Sequence, residues 1–312
     1  MKMIEKIDRK ITSYIRRKKN IRHAYDYPDI QDGWVKYKKP VLDRKWGTVF
    51  DPWVRIENNI FVMYVSERKI GSITRYTSKN GVDWENRTII LEGIKESWEE
   101  LVNRPCCIKI GEKWYLWYTG QKNGKSCIGL AISYDGISFT RISQNPVLVP
   151  SGNIEKDAVM NPCVIYKNGT FRMWYATGES YEPDVLCLAE SIDGIKWKKY
   201  DNNPVLSPSY FEFEKVKVGG CDIIENNNRL EMYYIGYQNI DTGRICKAVS
   251  YDDGYSWDRE SSNPLISPTR GGWDAHSIYK PTVVKCLESG TLYLWYNGRY
   301  NQDEYIGLAT KK

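Results

Sequence analysis

One strand pattern occurs five times along the chain, and this repeat limits the fold more than any other feature of the sequence. Each copy is a short apolar strand that ends in a tyrosine, as in WYLWY and FRMWY. The terminal tyrosines follow one another at steps of 54, 57, 59 and 62 residues and are Tyr64, Tyr118, Tyr175, Tyr234 and Tyr296. A period of this length is typical of repeat architectures in which neighbouring units share one continuous core.

Two further marks follow the tyrosine strand in most copies. A strand such as GLAIS or CLAES leads into a turn that ends in an aromatic residue, as in SYDGISF, SIDGIKW and SYDDGYSW, and an outer segment such as NPVLVP comes next. We interpret the turns as structural, because their aspartate can cap backbone N–H groups. Each unit holds about four short strands, and radially arranged four-stranded sheets are the blades of a β-propeller.

The two ends of the chain complement each other. The C-terminus finishes on IGLATKK, the third strand of a unit, so a turn and an outer strand are missing there. Residues 32–42, DGWVKYKKPVL, match the turn and outer strand DGIKWKKYDNNPVL at 193–206. We therefore predict an all-β fold: a five-bladed β-propeller over residues 29–312, closed by an N-terminal strand that completes the last blade.

Residues 1–28 are predicted to form a separate basic segment with a short amphipathic helix. Lysine and arginine outnumber acidic residues there, and the apolar residues with helical spacing are Ile4, Ile7, Ile11, Tyr14 and Ile15. The helix could rest on an anionic membrane surface or on a partner subunit. The alternative is a solvated helix packed on the side of the main domain.

Composition indicates the compartment and excludes several classes of protein. No run approaches 18 apolar residues, and the N-terminus lacks the apolar stretch of a signal peptide. The eight cysteines include no CxxC pair, which favours free thiols in a reducing compartment, so we expect a cytoplasmic protein. No metal-binding or nucleotide-binding motif occurs, and no basic stripe lies outside the N-terminal segment. We expect no metal, cofactor or nucleic acid.

The starts of the innermost strands carry the strongest functional signal. The residues just before the proline, or before its counterpart, in these five strands are Asp51, Arg104, Asn161, Gly220 and Lys280. A purely structural position would tend to repeat its residue, so this variety predicts a site at the channel mouth. Asp51 is the only carboxylate of the five. Beside Arg104 and Lys280 we expect it to stay ionised and to act as a base or a nucleophile.

Loops around the same mouth add further candidates. Protonation of a leaving group requires a carboxylic acid, and Glu214, Asp157 and Asp274 are the candidates, with no means of ranking them. His276 either lines the site or acts as a structural hydrogen-bonding group. The complete predicted substrate-binding set is Arg68, Arg104, Asn161, Asp222, His276, Lys280 and Arg299.

Roughly from residue 32 to the end, the chain resembles the five-bladed propeller glycosidases, glycoside hydrolase families 43, 32, 68 and 130. The phrases KPVLDRKWGTVFDPWV, GLAISYDGISF and WYNGR followed by YIGLA carry the resemblance. It implies that Asp51 matches the first-blade aspartate, the base of family 43 and the nucleophile of family 32. Asn161 stands where family 43 has a further aspartate, and glycines lie near the place of its fourth-blade acid. NRPC stands where family 130 phosphorylases have an acidic DPR.

Three functions remain open from the sequence. The first, and our main prediction, is a glycoside hydrolase-like enzyme that uses Asp51 with a relocated acid on a carbohydrate substrate. The second is a phosphorylase or glycosyltransferase with a sugar-phosphate substrate, whose phosphate lies against Arg104, Lys280, Arg299 and His276. The third is a sugar-binding propeller without catalytic activity.

Overall fold

The computed structural model describes residues 12, 15–43, 45, 47–179 and 183–312. Over these residues the protein is all-β with a few short helical turns, and all eight cysteines are free thiols. None of the described helices is long and apolar enough to cross a membrane. The helical segments are residues 15–21, Arg22–Tyr25, Gly152–Glu155 and Glu212–Glu214.

The described residues contain twenty β-strands. In chain order the first half are β1 (Val35–Lys36), β2 (Val49–Glu57), β3 (Ile60–Glu67), β4 (Ser72–Ser78), β5 (Glu85–Glu92), β6 (Leu101–Ile110), β7 (Lys113–Lys122), β8 (Lys125–Ser133), β9 (Thr140–Arg141) and β10 (Ala158–Lys167). The others are β11 (Thr170–Gly178), β12 (Val185–Ser191), β13 (Lys198–Lys199), β14 (Lys217–Asn226), β15 (Arg229–Asn239), β16 (Thr242–Ser250), β17 (Asp258–Arg259), β18 (Ser277–Lys285), β19 (Leu292–Tyr300) and β20 (Asp303–Lys311).

Antiparallel pairing groups these strands into four-stranded units. The first unit is β2–β5, the second β6–β9, the third β10–β13 and the fourth β14–β17; the last consists of β18, β19, β20 and β1. The second and third units form one eight-stranded sheet, because Ala158 of β10 pairs with Ser126 of β8. The first strands of the units contact one another in the order β2, β6, β10, β14 and β18, and β18 contacts β2.

Buried aromatic side chains and the aspartate turns connect neighbouring units. In the second unit, Asp135 accepts hydrogen bonds from the backbone N–H groups of Ile137 (2.8 Å) and Ser138 (2.7 Å). The fully buried Trp117 donates its indole N–H to the carbonyl of Gly194 in the corresponding turn of the third unit, at 3.1 Å. These turns therefore stabilise the packing between units.

The N-terminal part of the chain packs along the last two units. Val35 and Lys36 of β1 pair with Thr310 and Ala309 of β20, which makes β1 the edge strand of the last unit. Upstream of β1, Asn20 donates a hydrogen bond to Asp241 at 2.8 Å, in the hairpin between β15 and β16. The described part of the basic segment thus lies against the fourth unit.

Candidate active site

Each first strand carries a β-bulge near its start, and the bulges fall at the five positions that the repeat selects. All five residues have left-handed backbone: φ is 56° at Asp51, 53° at Arg104, 53° at Asn161, 36° at Gly220 and 47° at Lys280. A residue with a Cβ pays about 1–2 kcal/mol for this conformation, and such strain clusters at functional sites. The bulges change the direction in which these five residues point relative to the rest of the strand.

Side chains of neighbouring units hold three of the bulges in place. In each case the backbone N–H of the bulged residue donates to a polar side chain on the second strand of the preceding unit, and for Asp51 that unit is the last one. The bonds run from Asp51 to Asn297 (2.6 Å), from Arg104 to Ser66 (2.9 Å) and from Asn161 to Thr119 (3.1 Å). The bulges are therefore part of a rigid framework.

A pocket of about 390 Å³ opens where the first strands begin. Six of the residues that the sequence predicts for the site line it: Asp51, Arg68, Arg104, Asn161, Lys280 and Arg299. The structure therefore brings together all four side chains of the bulged ring, with an arginine from the first unit and one from the last. Its size suits a small saccharide ligand.

Asp51 is the most enclosed acidic group of the pocket. It is 4% exposed, the Nε of Arg104 lies 3.8 Å from its Oδ2, and no described residue donates a hydrogen bond to that oxygen. Burial raises the pKa of Asp51 above its ordinary value of 3.8, and the opposing effects of Arg104 and Lys280 are smaller. Burial therefore opposes the ionised form that we expected Arg104 and Lys280 to favour, and a carboxyl group with a raised pKa suits proton donation.

Glu304 is a second pocket carboxylate, which our sequence analysis missed. It is buried at the start of β20 and accepts hydrogen bonds from the Nη2 of Arg68, at 2.9 Å, and from the hydroxyl of Tyr279. Glu304 thus positions Arg68 at the pocket wall. It directly precedes the YIGLA phrase of the repeat. The position of Glu304 at the hairpin end before that phrase could have indicated it as a candidate from the sequence.

Positive charge exceeds negative charge around the pocket. Lys280 is 1% exposed, its ammonium donates to the carbonyl of Cys221 at 3.3 Å, and it lies 5.7 Å from the centre of the Trp53 ring. Six cationic side chains line the pocket against the two carboxylates Asp51 and Glu304, and they are Arg68, Arg104, Lys122, Lys125, Lys280 and Arg299. Such a pocket can hold an anion beside a carboxyl group whose pKa is raised.

Glu214 and Asp274 do not line this pocket. Each is buried against its own four-stranded unit. There it accepts hydrogen bonds from the tyrosine of that unit's second strand and from a cation of that unit's outer strand. Glu214 meets Tyr234 (2.6 Å) and Arg259, and Asp274 meets Tyr296 (3.3 Å) and Lys36 (2.9 Å). The same triad recurs as Glu99 with Tyr118 and Arg141, and as Glu155 with Tyr175 and Lys199. These carboxylates hold the repeat together.

Asp222 also lies away from the pocket. It is fully buried and accepts hydrogen bonds from the Nη2 of Arg55 and the hydroxyl of Thr282, both at 2.9 Å. This ion pair joins the first and fourth units. Arg55 was missed, although a charge within the apolar strand WVRIE was a visible signal.

Asp157 and His276 complete the predicted set, and neither lines the pocket. Asp157 is exposed just before β10. His276 accepts a hydrogen bond from the backbone N–H of Asn301 at 2.8 Å on its Nδ1. Burial, with the nearby charges of Arg17 and Arg299, lowers the pKa of His276 to about 4. Among the described residues no three His, Cys, Asp or Glu side chains are grouped as metal ligands would be.

Comparison with protein families identifies the kind of enzyme. The model of glycoside hydrolase family 130, described as beta-1,4-mannooligosaccharide phosphorylase, matches residues 121–310, more than half of the chain. The chain belongs to glycoside hydrolase family 130. This family-130 protein is therefore a glycosidase-like enzyme that acts on glycosidic bonds, with a carbohydrate substrate.

Two individual proteins are similar to this chain over more than half of its length. An uncharacterized protein of Mycobacterium tuberculosis is 26% identical, with 85% of this chain and 98% of that protein covered. The 1,2-beta-oligomannan phosphorylase of Thermoanaerobacter sp. (strain X514) is 22% identical, covering 60% of this chain and 80% of its own.

Solved structures show that the fold is the β-propeller of glycosidases. A structure described as a glycoside hydrolase has a TM-score of 0.73 at 17% identity, and the match covers 94% of this protein and 95% of that one. A structure from a study of family-130 mannoside phosphorylases and hydrolases of beta-1,2 mannosidic linkages has a TM-score of 0.66 at 14% identity. That match covers 91% of each protein.

Proposed function

We propose that the family-130 protein is a phosphorylase that transfers a mannosyl group from a β-mannoside to inorganic phosphate. One observation carries the proposal: six cationic side chains line the same saccharide-sized pocket as the buried carboxyl group of Asp51. Guanidinium and ammonium groups that converge on one point are the usual protein ligands of a phosphate dianion. The phosphorylase activity named for the Thermoanaerobacter relative supports the choice of donor.

In this mechanism Asp51 is the general acid. Its raised pKa favours the protonated carboxyl group, and in the reaction that proton passes to the oxygen of the scissile bond. A phosphate oxygen forms the new bond to the anomeric carbon while the old carbon–oxygen bond breaks. The hydroxyl proton of the phosphate returns to Asp51, so the products are mannose 1-phosphate and the shortened saccharide.

The cations would divide the work of holding phosphate. Arg104 offers a planar fork of donors close to Asp51, and Lys280 offers a point charge that is almost fully buried. Burial strengthens their attraction for the anion because little water screens it. Arg68, held by Glu304, would contact the same ligand from the pocket wall.

Hydrolysis by inversion fits this pocket less well. That route needs a second carboxylate as the base that activates water, in addition to the acid. Apart from Asp51, the carboxylate lining the described pocket is Glu304, which is already bonded to Arg68 and Tyr279. We therefore propose that Glu214 and Asp274 have structural roles and that phosphate, already an anion, needs no such base.

We propose further that the fold is a five-bladed propeller over residues 29–312, closed by the N-terminal strand. Support comes from the contact of β18 with β2 and from the pairing of β1 with β20. Lys36 of β1 also bonds Asp274, the role that Arg259 of an outer strand has for Glu214.

Phosphate dependence tests the proposed reaction. The protein is incubated with β-1,4- or β-1,2-mannobiose, with and without inorganic phosphate, and the products are separated. We expect one mannose 1-phosphate per mannose released with one of the two linkages, and no reaction without phosphate. Equal release of mannose without phosphate would establish hydrolysis instead.

A pair of variants separates the pocket from general charge effects. Lys280→Gln should raise the KM for phosphate at least about tenfold, as expected when a charge-assisted contact worth about 1.5–3 kcal/mol is lost. Lys196→Gln removes the same charge from an exposed turn and should leave that KM unchanged.

A further inference from the structure

The hairpin between β15 and β16 separates two pockets. Tyr237 lines the pocket that contains Asp51, whereas the next residues, Gln238 and Asn239, line a second pocket of about 540 Å³. Because Tyr237 and Gln238 are adjacent in the chain, the two pockets are neighbours at this hairpin. Both are at the end of β15 where Lys217 of β14 pairs with Tyr237, the end at which the first strands begin.

The second pocket is polar and carries both signs of charge. The N-terminal segment forms one wall, the turn at Glu212–Glu214 another, and the complete lining is Asn20, His23, Asp26, Tyr27, Glu212, Lys215, Gln238 and Asn239. Amide and carboxylate groups of this kind donate to and accept from neighbouring hydroxyl groups. Two carboxylates, Asp26 and Glu212, stand against the cation Lys215 in this lining, which favours a neutral polyhydroxyl ligand over the anion expected in the first pocket.

Gln238 has an unused hydrogen-bonding atom at this site. Its side chain is 6% exposed, and its Nε2 donates to Asp26 at 2.9 Å. Its Oε1 has no hydrogen-bond partner in the described structure. A buried acceptor without a partner is costly, and a ligand hydroxyl in the pocket would satisfy it.

A row of aromatic rings leads from solvent to the same pocket. Tyr210 is 86% exposed and packs on Phe211 with 4.4 Å between ring centres. Phe211 stacks on Phe213 at 5.4 Å, and Phe213 meets Tyr27 of the pocket wall at 6.0 Å. Exposed aromatic rings offer flat apolar surfaces, and such patches commonly mark binding sites.

We propose that this second pocket and its aromatic row bind the distal residues of an oligosaccharide whose terminal bond lies in the first pocket. The ligand class is a neutral β-linked mannooligosaccharide longer than a disaccharide. Only the identity of the sugar rests on the proposed function. The site itself rests on the polar lining, the unpaired oxygen of Gln238 and the exposed rings.

Isothermal titration calorimetry without phosphate tests this site. The probes are mannobiose and mannohexaose of the β-1,4 and β-1,2 series, and the variants are Tyr210→Ser and Gln238→Leu. For one linkage the wild type should bind the hexaose at least about tenfold tighter than the biose. Each variant should lose most of that advantage, with the biose affinity unchanged. Tyr134→Ser is the matched control: it removes a tyrosine that is 70% exposed in the turn after β8 and should change neither affinity.

Three results would overturn the proposal: equal affinity for the two lengths in both series, equal weakening of both ligands, or no effect of either variant. The melting temperature of each variant checks that it folds. Because binding is measured without turnover, length-dependent binding in a protein that forms no mannose 1-phosphate would refute the phosphorylase and keep the second site. The reverse combination would refute the second site alone.

Discussion

At the scale of single residues, the account depends on the environment of Asp51. The same aspartate would be a base in a solvated cleft, but here its carboxyl group is enclosed and one oxygen has no hydrogen-bond donor among the described residues. Loss of hydration favours the protonated form. The proposed reaction therefore needs this carboxyl group, whereas burial of its ionised form lowers the stability of the fold.

Replacement of Asp51 by Asn should separate these two effects. Activity should fall by about 10²–10⁴-fold, the usual contribution of a general acid or base. Folding raises the pKa of this carboxyl group above its ordinary value of 3.8. The wild type therefore loses stability as the pH rises from 3.8 through the pKa of the folded state. The variant lacks this loss, so its melting temperature at pH 7 should equal or exceed that of the wild type.

Thermal melts at pH 4 and pH 7 measure the effect. A variant that melts well below the wild type at pH 7 would show that the charge of Asp51 stabilises Arg104 and Lys280, contrary to the account.

His276 provides an independent check of the electrostatics near the mouth. Its pKa is lowered to about 4 by burial and by two arginines, so protonation is resisted in the folded state. Stability should therefore decline as pH falls from 6.5 toward 4, the window between the ordinary and the folded values. The imidazole C–H resonances of His276, assigned by comparison with His276→Gln, should titrate with a midpoint near 4. A midpoint above 6 would contradict the placement of this ring.

At the scale of elements, each unit combines a repeated framework with one variable position. The acid, tyrosine and cation of the triad recur from the second unit to the last, whereas the bulged residue changes. The bulge gives the variable side chain its direction, and the triad secures the strands behind it. Binding groups can thus differ between units without a change of framework.

Lys36 tests this framework in the last unit. Its ammonium bonds Asp274 (2.9 Å), Thr269 (2.8 Å) and the carbonyl of Ser267 (2.6 Å). Lys36→Met should destabilise the protein by about 3–5 kcal/mol, because the buried Asp274 loses its cation. Lys39→Met, at an exposed position, should change stability by less than about 0.5 kcal/mol. Urea unfolding measures both, and equal midpoints would contradict a role for β1 in the last unit.

The repeat allowed the framework and the ring of bulged positions to be predicted from sequence, because counting from the tyrosine strand needs no tertiary information. It could not separate Glu214 and Asp274 from catalytic acids, because their cations, Arg259 and Lys36, are 45 and 238 residues away in the chain. Nor could it give the direction in which the pKa of Asp51 is shifted, which depends on burial by several units at once.

At the scale of the whole molecule, a pseudo-symmetric framework surrounds an asymmetric centre. The repeated units supply strands, turns and triads, and the centre supplies one enclosed acid among cations. Membership of family 130 shows that the enzyme acts on a glycosidic bond. The positive charge of the central pocket favours phosphate over water as the group that accepts the sugar. Phosphorylase and hydrolase thus differ in whether a phosphate oxygen or a water oxygen becomes attached to the anomeric carbon.

The most direct measurement follows that oxygen with phosphate that carries ¹⁸O at all four positions. Mannobiose of the active linkage is turned over in ordinary water, and the phosphorus resonance of the product is recorded. The account predicts mannose 1-phosphate that keeps all four ¹⁸O atoms, because a phosphate oxygen forms the bridge to the sugar. Release of both mannose units as free sugar, without a phosphorylated product and at a rate independent of phosphate, would contradict it.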